Sequence, residues 1–349
     1  MKALVTGANG FIGANLVHCL LQHGYRVNAL VRETSDLRGL DGLDVHIVSG
    51  DIFDVHSLIQ AAKGCAIIFH TAAFYSYGRH SRDELMNTAR EGTIQVLEAA
   101  RERNIRRVVL TSSSVIFGST TEPVRLDESQ RVPEPEPPPY TLSKIEQDRI
   151  AFQLAHQLGI EMVAACPTVC MGPHDYHLSE SNAIIVHYLQ DPLKATWPGG
   201  CNIVSVEDVA LGHLLIAKKG RNGHRYLMGA ENLKWSTIHA AISEICGLPG
   251  PLVTAGHTAS FLSGAYHELL SFFNGKRPPV TRDQAKMVGR YYWYSHERMA
   301  ALGYAPAPAR TALVSAVSWL AGSEHISAPL RNSMTLSKEV HEQRHGRSA

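Results

Sequence analysis

Tyr140 and Lys144 stand four residues apart in "PPPYTLSK", a spacing suited to proton transfer. At a helix start, side chains at i and i+4 share a face, so an ammonium would lie beside a phenol. A neighbouring positive charge favours the phenolate and lowers the phenol pKa from about 10. An acid–base catalyst working near neutral pH needs such a shift. The plainer alternative is a tyrosine packed at a helix start with a solvated lysine. The prolines of "RVPEPEPPPYTLSK" suit neither helix interior nor central strand, and they read as a stiff extended loop that delivers Tyr140 to a fixed place.

Two further groups of residues predict what Tyr140 meets. In "LTSSSVIFG", Thr111 and Ser113 close a predicted strand, so their hydroxyls would point from the carboxyl edge of a sheet, the usual ligand side. In "LVTGANGFIG", Gly7, Gly10 and Gly13 fall between the first predicted strand and the first predicted helix, with Asn9, Phe11 and Ile12 in the same loop. The first glycine permits a tight turn, the second a close approach to a pyrophosphate, and the third close helix–strand packing. In that context the triplet predicts dinucleotide binding. Arg32 occupies the end of the second strand, where selection of NAD commonly uses an acidic residue for the ribose 2′-OH. An arginine there suits a 2′-phosphate, with Ser35 and Arg38 as helpers, so NADP(H) is favoured and NAD(H) stays open. Arg32 could instead stack on the adenine or be solvated. Asp51, followed by Ile52 in "SGDIFD", could reach the adenine amino group, cap the next helix, or do both.

The elements that must position these residues follow from periodicity. "KALVT", "RVNALV", "VHIVSG", "AIIFHTAA", "RRVVLTSS" and "EMVAACP" are short aliphatic runs separated by helix-length segments. That alternation predicts βαβ units, hence an α/β fold with a Rossmann-type, doubly wound parallel sheet. Long amphipathic helices are expected from about Phe11 to His23, over the stretch ending near Asn104, and over the one ending near Gly159. A dinucleotide-binding domain over 1–170 is expected, with 203–220 packing back on it. Residues 171–202 and 221–325 would form a smaller, mostly helical substrate lobe, and 326–349 a polar tail.

Composition bounds the partners. The chain has 349 residues, 44% of them hydrophobic and 19% charged, with a net charge of +1, as for an ordinary globular protein. No global charge points to nucleic acid. No apolar run reaches the roughly 20 residues of a membrane span, and no secretory leader is visible. The six cysteines and 19 histidines show no disulfide framework and no metal-ligand spacing, so no metal is expected and a cytoplasmic location is.

Taken together, "TGANGFIG", "GDIFD", "FHTAA", "EGTIQVLEAA", "TSSSVIFG", "YTLSK", "CPTVCMGP" and "VEDVALGHL" resemble the extended short-chain dehydrogenases/reductases, also called the NAD-dependent epimerase/dehydratase family. The resemblance covers roughly residues 1–235. Within the family the chain looks most similar to the dihydroflavonol-reductase-like branch, including bacterial hopanoid-associated epimerase-like proteins. It implies Ser113 as catalytic serine, Tyr140 as acid–base and Lys144 as its partner, also holding the nicotinamide ribose. Thr71, Ala72 and Ala73 would line the cofactor, and Pro167, Thr168 and Val169 would flank the nicotinamide. The implied chemistry is hydride transfer between nicotinamide and a carbonyl or alcohol carbon. A homodimer through helices near 84–103 and 141–158 is implied by analogy.

The chain also departs from the family. Ala89 stands where many members have asparagine, and Cys166 and Val169 stand where sugar-nucleotide enzymes hold a diphosphate with polar residues. Phe74, Tyr75, Tyr77, His174, Tyr176 and His177, on two expected substrate-side loops, suggest a largely apolar small-molecule substrate, though each could be packing. The alternative is a sugar or nucleotide-sugar epimerase or dehydratase with tightly held NAD, and from another class a non-catalytic nucleotide-binding protein.

Overall fold

Six short aliphatic runs become parallel strands: β1 (Lys2–Thr6), β2 (Arg26–Val31), β3 (His46–Ser49), β4 (Ile67–His70), β5 (Arg107–Thr111) and β6 (Glu161–Pro167). The computed structural model describes residues 1–73, 81–274, 278 and 281–346. A seventh strand, β10 (Arg225–Met228), joins beside β6, and the sheet order is β10-β6-β5-β4-β1-β2-β3. Strand order reverses direction at β1, which pairs with both β2 and β4. Such a switch point opens a crevice at the carboxyl edge of the sheet.

Alternate residues of these strands feed two cores, as a sheet covered on both faces requires. Leu4, Ile68, Val108, Leu110 and Met162 face α2 (Val55–Ala61), α3 (Arg82–Glu102) and α4 (Pro139–Leu158). Ala3, Val5, Phe69, Val109 and Val163 face α1 (Phe11–Gln22) and α6 (Val206–Lys219). The helix ends have local causes. In α3, Ser81 and Glu84 form a reciprocal capping box. α4 starts with Pro139 in its first turn and stops at Gly159, whose φ of +69° suits a left-handed C-cap.

The second lobe is built on a four-stranded sheet that the sequence reading did not anticipate. Its central strand β9 (Gly200–Ser205) pairs with β7 (Val169–Met171), β11 (Glu231–Lys234) and β13 (Tyr291–Tyr292). A two-stranded pair joins β8 (Ala195–Thr196) to β12 (Val253–Thr254). The helices of this half are α5 (Glu180–Gln190), α7 (Trp235–Cys246), α8 (His257–Asn274), α9 (Arg282–Ala285), α10 (Glu297–Ala300) and α11 (Ala309–Leu320). The expected 203–220 unit is divided, with β9 in the second sheet and α6 on the first. β10, placed in the lobe by sequence, returns to the first sheet. The expected polar tail folds as α12 (Ala328–Ser333) and α13 (Lys338–Gly346), burying Ile326 and Val340. A single apolar residue per turn gives too weak a periodic signal for sequence to reveal that packing.

Among the described residues no helix is long and apolar enough to cross a membrane. Nor, among those described residues, is any group of three or more His, Cys, Asp or Glu side chains arranged to hold a metal.

Candidate active site

Backbone contact makes the glycine loop obligatory. Gly7 has φ +67°, and a Cβ there would come within 2.7 Å of Ala72 Cα. A Cβ on Gly13 would strike the Gly7 carbonyl oxygen. The Thr71 hydroxyl donates to the Thr6 carbonyl at 2.7 Å, clasping the β4 exit over the loop. Ala72 is half-buried there and Ala73 is exposed. Gly10 is the N-cap of α1 and offers no side chain to the first-turn N–H groups. An uncapped helix N-terminus on a glycine turn at the switch point suits a pyrophosphate, so these residues fit a dinucleotide. Asn9, Phe11 and Ile12 are half-buried in the same loop.

Beyond the end of β2 the two guanidinium groups expected at the adenosine differ. Arg32 is exposed at the end of β2, and its carbonyl accepts the Ser35 N–H at 2.9 Å. Arg38 is engaged elsewhere: it pairs with Asp36 at 2.7 Å and Glu324 at 3.0 Å and lies over the Tyr176 ring at 5.0 Å. Arg38 in turn holds the Asp36 carboxyl down at about 2. Asp51 does not cap α2. Its carboxylate accepts the Phe53 N–H, while Asp54 caps the helix through the His56 N–H. Ile52 packs against Gly92 of α3.

The tyrosine, serine and lysine converge at the carboxyl edge of β5. Ser113 precedes a 3-10 turn over Ser114–Phe117 and its oxygen accepts the Val115 N–H at 3.4 Å. Tyr140, at the start of α4, is buried, and its phenol hydrogen-bonds with the Ser113 hydroxyl. That bond favours the phenolate, yet burial outweighs it and holds the phenol well above its ordinary range. Lys144, also buried, donates to the Thr111 carbonyl at 3.0 Å and to Gln147 Oε1 at 2.9 Å. Burial lowers its pKa to about 8. The anticipated lowering of the phenol by Lys144 is therefore not the state of this structure: desolvation dominates both groups, and the ammonium's hydrogen bonds go to the backbone and an amide.

Sequence reading missed the residues that hold this arrangement. Gln147 fixes Lys144 and donates to Thr93 at 3.3 Å. His213 of α6 donates from Nδ1 to the Val209 carbonyl at 2.8 Å, so its Nε2 accepts the Thr111 hydroxyl, also at 2.8 Å. Burial brings the imidazole down to about 4, fixing it neutral. The Thr111 hydroxyl thus faces α6 rather than the crevice. Gln147, three residues after Lys144, was the one available signal.

Pro167 ends β6 and Val169 begins β7. Between them, Thr168 donates its hydroxyl to Asn202 Oδ1 at 2.9 Å. His174 and Tyr176 do not join Tyr140. They lie with His18 of α1 and Trp319 of α11, and His177 is exposed nearby. Phe74, Tyr75 and Tyr77 lie outside the described residues.

A glycine cradle at the switch point of a parallel sheet, with a buried serine–tyrosine pair and a lysine beside it, is the equipment of a nicotinamide-dependent oxidoreductase. The sequence matches the NAD dependent epimerase/dehydratase family over residues 3–229, and the chain belongs to that family, the extended short-chain dehydrogenases/reductases. A "Putative dihydroflavonol 4-reductase" of Synechocystis sp. is 35% identical over 321 residues, covering 90% of this chain and 93% of that protein. "Sterol demethylase protein B" of Methylococcus capsulatus is 30% identical over 323 residues, covering 91% and 98%. The crystal structure of gox2253 superposes with a TM-score of 0.82 at 30% identity, covering 93% of this chain and 99% of that one.

Proposed function

We propose that the chain is an NADP(H)-preferring reductase acting on a ketone or aldehyde of a largely apolar small molecule. The observation that carries this reading is the buried phenol of Tyr140, protonated at neutral pH and joined to Ser113. A protonated phenol is the form that reduction of a carbonyl needs, because the oxygen must gain a proton as the carbon gains a hydride. Bound nicotinamide would supply that hydride to the carbonyl carbon. Ser113 and Tyr140 would hold the carbonyl oxygen, and Tyr140 would deliver the proton along the same hydrogen bond. Lys144, kept in place by Thr111 and Gln147, would supply positive charge beside the phenol and hold the nicotinamide ribose. Gly7, Gly10 and Gly13 would admit the pyrophosphate, with Thr71–Ala73 and Pro167–Val169 flanking the cofactor.

Arg32 supports the NADP(H) preference, since it is exposed while Arg38 is held by two carboxylates. Cys166 is fully buried in the core, so the apolar substrate rests on Val169, half-buried at the start of β7, which offers no polar grip to a diphosphate. Relatives whose names refer to a dihydroflavonol and a sterol point the same way. All six cysteines are free buried thiols, which fits a reducing compartment such as the cytoplasm. A homodimer formed through α3 and α4, which pack side by side, belongs to the same reading, and light scattering giving a monomeric mass would refute it.

The first test is to denature the purified protein and identify the released nucleotide by mass spectrometry. An empty site or exchangeable NADP supports the reductase, and NADPH oxidation should then be followed against apolar carbonyl compounds. Stoichiometric NAD would instead mean a cofactor recycled in place, the mark of an epimerase or dehydratase. Tyr140→Phe should lower turnover by about 10²-fold or more with cofactor affinity intact. Wild-type turnover in that variant would remove the mechanism.

A further inference from the structure

We propose that the outer face of α8 is a membrane-docking surface, which lies flat in the interface of a lipid bilayer without crossing it. One side of α8 is fixed to the molecule. A Cβ on Gly264 would come within 2.7 Å of the Thr281 carbonyl carbon, so the helix sits directly on the backbone that leads into α9. On the same side, half-buried Glu268 pairs with Arg282 of α9 at 2.6 Å. The inference stands independently of the reductase reading.

The side turned away from α9 is apolar along its whole length. Leu262, Tyr266, Leu269 and Phe273 are 64%, 59%, 58% and 76% exposed, and Ala259 and Leu270 are exposed with them. At 3.6 residues per turn these six fall within an arc of about 100°, and no other residue of α8 lies between them. Scattered exposed leucines are ordinary, but a contiguous apolar stripe on one helix face marks an interaction site. β12, which leads into α8, adds exposed Leu252 and Val253.

Size and charge select a bilayer as the occupant. The stripe is about 27 Å long and 10 Å wide, well short of the roughly 800 Å² that each partner of a stable dimer buries. A bilayer needs only the stripe, because an interfacial helix sinks its apolar face about 5–10 Å below the headgroups. No described helix is long and apolar enough to cross, so α8 would lie on the membrane rather than span it. Glu268 is the one acidic residue of α8, and it is held on the inner side, so no carboxylate repels an anionic headgroup from the stripe. Over residues 252–286 the sequence has Lys276, Arg277, Arg282 and Lys286 against Glu268 and Asp283, and both acids are already paired, with Arg282 and Lys286. That surplus of positive charge complements an anionic lipid surface.

Flotation of the full chain with vesicles of phosphatidylcholine and phosphatidylglycerol tests the proposal. The parent should rise with the lipid. Leu269→Glu combined with Phe273→Glu puts two charges on the stripe and should lower the partition coefficient at least about tenfold, with the melting temperature unchanged. Leu262→Gln with Tyr266→Gln, uncharged changes on the same arc, should act in the same direction. Leu211→Glu alters an exposed leucine of α6 and should float like the parent. A parent that stays with the soluble fraction, undiminished flotation of both stripe variants, or an equal loss in Leu211→Glu would overturn the proposal. So would light scattering that shows a dimer dissociating in the stripe variants, since the stripe would then belong to a second copy of the chain.

Discussion

Burial decides the protonation of Tyr140 and Lys144, the proposed acid–base pair, more strongly than their spacing does. Tyr140 is held protonated, and Lys144 is brought to about 8 from the ordinary 10.5. The lysine shift has a testable sign. Below pH 8 both folded and unfolded chains carry the proton, and the folded one must bury it. Between pH 8 and 10.5 the unfolded chain binds more protons, so the parent gains stability as pH rises through that window. Lys144→Met lacks this term. Its denaturation free energy minus the parent's should therefore fall between pH 8 and 10.5, and parallel profiles would contradict the buried-ammonium account. At the other end of the proposed cofactor site, Arg32→Asp should shift the NADPH/NADH ratio of kcat/KM at least about tenfold toward NADH. An unchanged ratio would remove the 2′-phosphate argument.

At the scale of elements, close approach of α1 to β1 is what shapes the glycine turn proposed to hold the pyrophosphate. A methyl group at Gly13 meets the Gly7 carbonyl and the Thr71 hydroxyl together. Neither is the free end of a flexible chain, since Thr71 is already bonded to Thr6. Gly13→Ala should therefore push helix and turn apart, destabilise the fold by about 2 kcal/mol and weaken nucleotide binding in calorimetry. Retention of both would mean that the loop can yield. By contrast, Ser81→Ala removes one half of the α3 capping box far from any proposed role in catalysis. It should cost about 1 kcal/mol of stability with little change in kcat.

The whole molecule is closed by its last helix. Arg310 links Glu244 of α7 to Glu339 of α13, but these pairs are partly exposed and worth little in water. Val340 is fully buried in the core shared with α7 and α11. Burial, not the ion pairs, should hold α13: Val340→Asp should cost on the order of 3 kcal/mol, while Arg310→Gln should stay within about 0.5 kcal/mol. Melting curves of the two variants check the ranking, and equal losses would refute it.

The sequence by itself determined the parallel α/β core, the glycine cradle and the positions of Ser113, Tyr140 and Lys144. These features are written in neighbouring residues: aliphatic runs at strand length, glycines at a turn, a tyrosine and lysine one helical turn apart. Tertiary structure alone decided the direction in which the phenol titrates, because desolvation depends on what covers Tyr140 and not on what precedes it. It also joined Thr111 to His213 across 102 residues and set Gln147 against Thr93. The second sheet was hidden because its strands are as short as two residues and find partners only across the chain. His174 and Tyr176, read as substrate-side residues, were carried behind α1 by the Asn15 bond to Pro173. Local periodicity reports which elements form, whereas burial and pairing between distant segments exist only once the chain has closed on itself.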